Sequence, residues 1–427
     1  MSGIVQNNIL RSSGTIAISA AGLNWSDTII TGSTATVEAG NGYWINTTSN
    51  TCTITLPSSA ESGDQIVLID FARTWGTNKI IIDSNGLNYQ GNDDTYTVEY
   101  TTDGQSLNIV YSDATKGWLP LEDDVAALEP VAPPTQKGIF GFGWTGSYIG
   151  LTNLVNSSGV IAADVSAVGT ARRDLAAATY GGDKAIFAYG TTTDDYVSTR
   201  NLVNNSGVVA TDASGAGTAR RDLAAAPYGV GLAIFAYGRT GGGTELSMSN
   251  LVNSSGVIGS DVTGVGTART NMGAAGYGGD KGIFAYGQDG GDPYVQSMSN
   301  LVSNVGVIGS DVSGVGTARF NIAAATYGGD KAVFAYGLTA SAAVNTKNLC
   351  NNSGVIAADV TGVGTARYQP AACSYGGDKA IFAYGNDAAQ NVSMSNLVNS
   401  SGVIAADVTG VGTARARLAA AGFSASA

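Results

Sequence analysis

The chain contains no histidine, so its candidate chemistry rests on carboxylates, hydroxyls and three cysteines. Without imidazole, the commonest general base and the commonest metal ligand are both missing. Ser–His and Cys–His nucleophile arrangements are excluded with it. Paired carboxylates could still act as acid and base on a glycosidic bond. Within residues 137–427, however, most of the aspartates recur in register. Asp164, Asp212, Asp261, Asp311, Asp359 and Asp407 hold one place in a repeating unit, and Asp183, Asp280, Asp330 and Asp378 hold another. A group present in every copy of a unit serves the unit. The first set, together with the arginine ending each G-T-A-R, is therefore read as turn and inter-repeat contacts. The sequence Tyr180-Gly-Gly-Asp-Lys184 lacks the spacing of a phosphate loop. Cys52, Cys350 and Cys373 are too few and too scattered for a disulfide framework and are expected in cores. No catalytic residue, metal site or cofactor is expected.

The elements that must position any site are themselves repeats. The motif K-[AG]-[IV]-F-A-Y-G ends at Gly190, Gly287, Gly337 and Gly385, with variants ending at Gly143 and Gly238. G-T-A-R ends at Arg172, Arg220, Arg269, Arg319, Arg367 and Arg415. Asn-Leu recurs at Asn153, Asn201, Asn250, Asn300, Asn348 and Asn396. Three markers kept in order six times define an array. Each unit reads as four short strands, because apolar runs are broken by Gly, Asn and Asp. The first is Ala-rich, which suits crowded inner strands. The array opens at Lys137 with a second strand and ends after Arg415 with a first strand lacking its second. Joining the two fragments closes a ring and leaves no open sheet edge there.

The run R-x-x-L-A-A-A-x-Y-G-G-D-K-A-I-F-A-Y-G resembles a kelch repeat over residues 137–427. It departs in having Tyr-Gly where kelch repeats carry paired glycines, and in lacking their Tyr and Trp in the third and fourth strands. The resemblance implies a six-bladed β-propeller closed by a C-terminal strand, without fixing a function.

Residues 31–122 do not share the repeat. Short strands are expected at 65–72, 78–83, 96–100 and 106–112, after an alternating stretch in which Cys52 and Ile54 oppose threonines. This spacing predicts a β-sandwich or jelly roll. The ordered features Tyr43-Trp-Ile45, Ile54-Thr-Leu-Pro57, Ser62-Gly-Asp-Gln-Ile-Val-Leu-Ile-Asp70, Thr77-Asn-Lys-Ile-Ile-Ile82 and Lys116-Gly-Trp-Leu-Pro120 resemble a domain of bacteriophage virion appendages, fibres and decoration proteins. Residues 1–30 read as an arm, and 123–136, with its Pro pair, as a linker. The all-β chain is thus an arm, an anchoring sandwich and a propeller. The resemblance implies a virion-surface structural protein made in the host cytoplasm. It would contact other virion proteins through its N-terminal region and assemble as a homo-oligomer, with a trimer expected. Alternatives are a capsid decoration protein without a receptor and a glycan-degrading propeller enzyme.

Composition agrees with a protein that binds no nucleic acid: 21 Lys+Arg against 33 Asp+Glu give a formal charge of −12. No apolar run approaches the roughly 18 residues of a membrane span, and the N-terminus lacks a secretory pattern. Membrane insertion is not expected. Function is sought where repeats differ, in the segments between Tyr-Gly and Asn-Leu. These carry Trp144, Tyr148, Asp194, Asp195, Tyr196, Glu245, Asp292 and Tyr294. Aromatic platforms beside acids suit host-surface glycan or protein contacts.

Overall fold

The computed structural model describes residues 23–121, 135–166, 168–291 and 294–426. They are all-β, and among them no helix is long and apolar enough to cross a membrane. The chain divides into two compact units, Met1–Pro130 and Val131–Ala427.

Unit 1 holds nine strands: β1 (Asn24–Ile30), β2 (Thr34–Thr36), β3 (Asn41–Ile45), β4 (Cys52–Thr55), β5 (Gln65–Asp70), β6 (Ile80–Asp83), β7 (Val98–Tyr100), β8 (Ser106–Tyr111) and β9 (Trp118–Pro120). One sheet has the order β1-β3-β5-β8-β9 and the other β2-β4-β6-β7. A shared core includes Ile45, Cys52, Ile54, Ile66, Leu68, Trp75, Ile80 and Trp118. The expected strands are in place, with Cys52 and Ile54 buried between half-buried threonines. The jelly-roll order is not. β1, β3 and β5 run parallel, as do β2, β4 and β6, so the chain coils from sheet to sheet before β7, β8 and β9 pair antiparallel. Alternation of buried and exposed residues is the same in both topologies, so it reports the buried face and not the strand direction.

The arm also needs correction at its end. Residues 24–30 are β1, and Trp25 stacks on Trp44 with ring centroids 4.8 Å apart. Its ring lies over Gly42, where a Cβ would approach to 2.6 Å. The rest of the arm, residues 1–22, and the linker up to residue 134 lie outside the described residues.

Unit 2 contains six three-stranded sheets. Five of them take an inner strand (Ala176–Tyr180 in the first of these), a middle strand (Lys184–Ala188) and an outer strand (Arg200–Val203) from consecutive sequence. The sixth is built from both ends of the unit. Its inner strand, Ala419–Phe423, pairs antiparallel with Lys137–Trp144, from Lys137 opposite Phe423 to Gly141 opposite Ala419. The inner strands touch one another in a closed cycle. Their alternate alanines, such as Ala177, Ala225 and Ala274, line a central cavity. Larger side chains there would meet across the axis.

Middle strands are buried on both faces because sheets cover both sides, which explains their unbroken apolar runs. Phe187 and Ile186 are fully buried in different cores, and burying each stabilises by about 1.5–3 kcal/mol. The expected fourth strand is reduced to two isolated bridges per repeat, for example Val155 to Ile161 and Thr152 to Val165. Three residues on one side (162–164) face two on the other (153–154), so the chain bulges at Asp164 and its equivalents. Their side chains do other work.

Candidate ligand-binding face

The arginine of each G-T-A-R is fully buried and holds sheets together. Arg220 donates through Nη2 to Asn250 Oδ1 at 2.7 Å and through Nε to the Tyr237 carbonyl at 2.9 Å. Asn250 Nδ2 donates to Asp261 Oδ1 at 2.9 Å, and Asp261 Oδ2 accepts from the Thr218 hydroxyl at 2.7 Å. The guanidinium sits 4.3 Å from the ring centroid of Tyr189, in the preceding sheet. The Arg–Asn–Asp relay recurs in all six repeats. Burial lowers the Arg172 pKa to about 10, and the Asp212 charge opposes the shift, so the group stays cationic at neutral pH. The recurring Asp and Arg residues are therefore inter-repeat contacts.

The Tyr of each Tyr-Gly pair adopts a left-handed backbone (Tyr189 φ 64°, Tyr286 φ 66°), as does Phe142 in the first repeat (φ 63°). With the glycine that follows, it turns the chain sharply off the middle strand into the variable loop and aims its ring at the next arginine.

Two residues after each arginine, the chain again turns left-handed, at Asp174, Asp222, Asn271, Asn321, Gln369 and Arg417. Here the backbone forms a closed ring of hydrogen bonds. The N–H of Asp222 donates to Asp174 O (2.9 Å), Asn271 to Asp222 (2.9 Å), Asn321 to Asn271 (2.8 Å), Gln369 to Asn321 (2.9 Å), Arg417 to Gln369 (3.4 Å) and Asp174 to Arg417 (3.0 Å). These six residues edge one mouth of the central cavity.

The mouth is not symmetric. Asp174 Oδ2 faces Arg417 Nη1 at 3.3 Å, Arg173 Nε at 3.6 Å and Arg221 Nη1 at 3.8 Å. Asp222 Oδ2 faces Arg239 Nε at 2.7 Å and Arg221 Nε at 3.3 Å. Burial and the neighbouring Asp222 charge push the Asp174 carboxyl up to about 6, against the pull of the three arginines. Asn271, Asn321 and Gln369 supply amides on the opposite arc.

Three of the eight sequence-predicted residues join this mouth. Trp144 and Tyr148 meet edge-on at 5.0 Å, with the Arg173 guanidinium 4.5 Å and 5.2 Å from their ring centroids. Tyr196 carries Arg221 at 4.9 Å. Asp194 and Asp195 shape their own loop: both backbone N–H groups meet the Thr192 hydroxyl, and Asp195 Oδ1 accepts from the Tyr196 N–H. Glu245 lies 3.5 Å from the Thr270 hydroxyl, and burial raises its pKa. Tyr294 is exposed and packs edge-on to Phe320 at 6.1 Å. Asp292 lies outside the described residues.

Sequence reasoning missed Arg173, Asp174, Arg221, Asp222, Arg239, Tyr368, Gln369 and Arg417. A signal was present in the two middle positions of R-x-x-L. They read Arg-Asp, Arg-Asp, Thr-Asn, Phe-Asn, Tyr-Gln and Ala-Arg across the repeats, while their flanks stay nearly constant.

A groove of about 340 Å³, lined by Trp144, Tyr368, Gln369, Asn386, Asn391 and Arg417 among others, runs between the first and last repeats. Gln369 and Arg417 line both this groove and the central cavity. Asn391 Nδ2 donates to the Trp144 carbonyl at 3.0 Å and fixes one wall. Among the described residues, no group of three or more Cys, Asp or Glu side chains is placed to hold a metal ion.

No family model and no curated protein matches the chain. A solved structure described as "Structure of YjhT" is similar at a TM-score of 0.47 and 9% identity, over 65% of this chain and 98% of that one.

Proposed function

We propose that unit 2 is a six-bladed, kelch-like β-propeller and that the chain is a bacteriophage virion appendage. Unit 1 anchors it to other virion proteins, in a homo-oligomer, and the propeller presents its variable-loop face to host-surface glycan or protein. One observation carries this reading. The repeat is kept through strands, turns and the Arg–Asn–Asp relay, and is abandoned around one mouth of the central cavity, where aromatics, arginines and amides collect. Thr135, the first described residue of unit 2, lies on the other face, beside Gly377.

The test is saturable binding of labelled full-length protein to bacterial cells before and after their surface glycans are stripped. Binding should fall on stripping and in Trp144→Ala and Tyr148→Ala. If no host on which the phage grows binds the protein, a capsid decoration role replaces this one. A second reading, glycan cleavage, is favoured by the two carboxylates Asp174 and Asp222 at the mouth, one of them raised to about 6. Release of new reducing ends from host glycans, lost in Asp174→Asn, would establish it.

A further inference from the structure

The groove between the first and last repeats carries more information than a generic sugar platform. We infer that it takes an acidic saccharide, whose ring lies against Trp144 and Tyr368 and whose carboxylate is received by Arg417, with the Arg173 guanidinium behind Trp144 adding positive charge. The inference rests on the attachment reading above and specifies its ligand.

The first argument is an excess of cations in an acidic protein. The chain has a formal charge of −12, yet four arginines, Arg173, Arg221, Arg239 and Arg417, gather on two carboxylates, Asp174 and Asp222, at 2.7 to 3.8 Å. One carboxylate neutralises one guanidinium. Burying an unmatched charge is costly, so a surplus of arginines in a half-buried place points to an anion supplied from outside.

The second argument is unused donors. Arg417 makes one hydrogen bond to Asp174, at 3.3 Å. Arg173 stands near Asp174 without hydrogen-bond geometry, and its Nε is buried with no partner. Each guanidinium has five N–H donors in a planar fork that fits a carboxylate two-pronged. The Arg173 guanidinium lies 4.5 Å and 5.2 Å from the Trp144 and Tyr148 ring centroids and backs the groove wall with positive charge. The Arg417 fork is tied to Asp174 before any ligand arrives, which lowers the ordering cost of binding.

The third argument is the rest of the wall. Trp144 and Tyr368 offer apolar faces for a pyranose ring. The amides of Asn386, Asn391 and Gln369 are held by bonds to Asn391, the Trp144 carbonyl and Asn321, and each keeps a second N–H for a hydroxyl. An inorganic anion would use the arginines and leave this wall idle.

The experiment is calorimetric titration of the full-length protein with oligogalacturonate and with its methyl ester, which lacks the carboxylate charge. Alginate and hyaluronan fragments supply other uronates, dextran a neutral polymer and dextran sulfate a non-carboxylate polyanion. At least one uronate should bind, and for oligogalacturonate at least tenfold more tightly than its ester. Arg417→Ala, Arg417→Lys and Trp144→Ala should each weaken binding at least tenfold, and Lys331→Ala, on the opposite face, should leave it unchanged. Arg417→Lys keeps the charge and loses the fork, so it carries the test if Arg417→Ala fails to fold by its melting curve. Equal affinity for acid and ester, no binding of any uronate, or dextran sulfate binding as tightly with no loss in Arg417→Lys would each overturn the inference. Cell binding that persists in any of those cases leaves the attachment reading standing. Uronate binding without cell binding overturns that reading and leaves this one.

Discussion

Arg415 donates through Nη2 to Asn153 Oδ1 at 2.7 Å, joining residues 262 positions apart. The same guanidinium lies 4.2 Å from the Tyr384 ring centroid and donates to the Thr413 carbonyl at 3.2 Å. This is the relay found within each of the other five sheets, used here to join the two ends of unit 2. Sealing by an ordinary contact predicts an ordinary cost. Arg415→Ala should destabilise unit 2 by about 3–5 kcal/mol, the penalty for removing one partner of a buried charged network, and Arg269→Ala should cost about the same. Thermal unfolding of the two variants decides it. A far smaller loss for Arg415→Ala would mean that the strand pairing at Ala419–Phe423 closes the ring alone.

Six carboxylates give the ring a shared acid limit. Burial works against ionisation of Asp164, Asp212, Asp261, Asp311, Asp359 and Asp407. Hydrogen bonds from Thr and Asn and the nearby arginine charge outweigh it, so each folded pKa lies below the ordinary 3.8. A depressed carboxyl contributes stability that is present above its unfolded pKa and is lost as pH falls through the folded one. The melting temperature should therefore drop steeply below about pH 4. Asp261→Asn should melt lower at neutral pH and show a shallower acid decline. An acid decline as steep as that of the wild type would remove Asp261 from the account.

Asp174 should act in the opposite sense and in a different window. Its folded pKa is raised to about 6. The stability it contributes is full below its unfolded pKa and is lost as pH rises through the folded value. Between pH 5 and about 7.5 the wild type should lose a small increment of stability that Asp174→Asn retains. Carboxyl-selective NMR titration gives the pKa directly, and a midpoint at or below 4 would refute it.

Gly287 tests the sharp turn that feeds each variable loop. Its φ is +100°, and an added Cβ would stand 2.7 Å from the Thr270 carbonyl oxygen. Its N–H donates to Arg319 O at 2.9 Å. Gly287→Ala should cost about 2 kcal/mol or more, through strain and displacement of a backbone neighbour. A variant that melts with the wild type would show that the turn relaxes freely.

What was legible in the sequence was whatever repeats. Three markers, each repeated six times in register, specify six sheets, and the unmatched strands at Lys137 and Arg415 specify their closure. Direction was not legible. The alternation around Cys52 and Ile54 is the same for a parallel coil as for a jelly roll, because burial depends on which face a side chain takes and not on its neighbour's polarity. Nor was the bulge legible, since Asp164 looks like a turn residue until its carboxylate is seen bonding Thr413 of the closing repeat. The variable loops were the right place to look for Trp144, Tyr148 and Tyr196. Their partners Arg173 and Arg221 sit inside the repeat, directly after the constant G-T-A-R, where the residue type changes from one copy to the next.

The relay also decides what a natural module of this ring is. Each guanidinium lies over an aromatic ring behind it and bonds an asparagine ahead, so a sheet cut out at its own strand boundaries would carry half of two seals. A stretch running from one G-T-A-R to the next keeps each arginine with its own asparagine and aspartate, and meets the neighbouring ring across the joint. Duplicating or exchanging such a cassette would add or replace a complete repeat with every buried arginine still matched, and would bring its own loop and its own residue at the cavity mouth. The ring can therefore change what it displays by swapping parts, while the contacts that hold it closed stay the same.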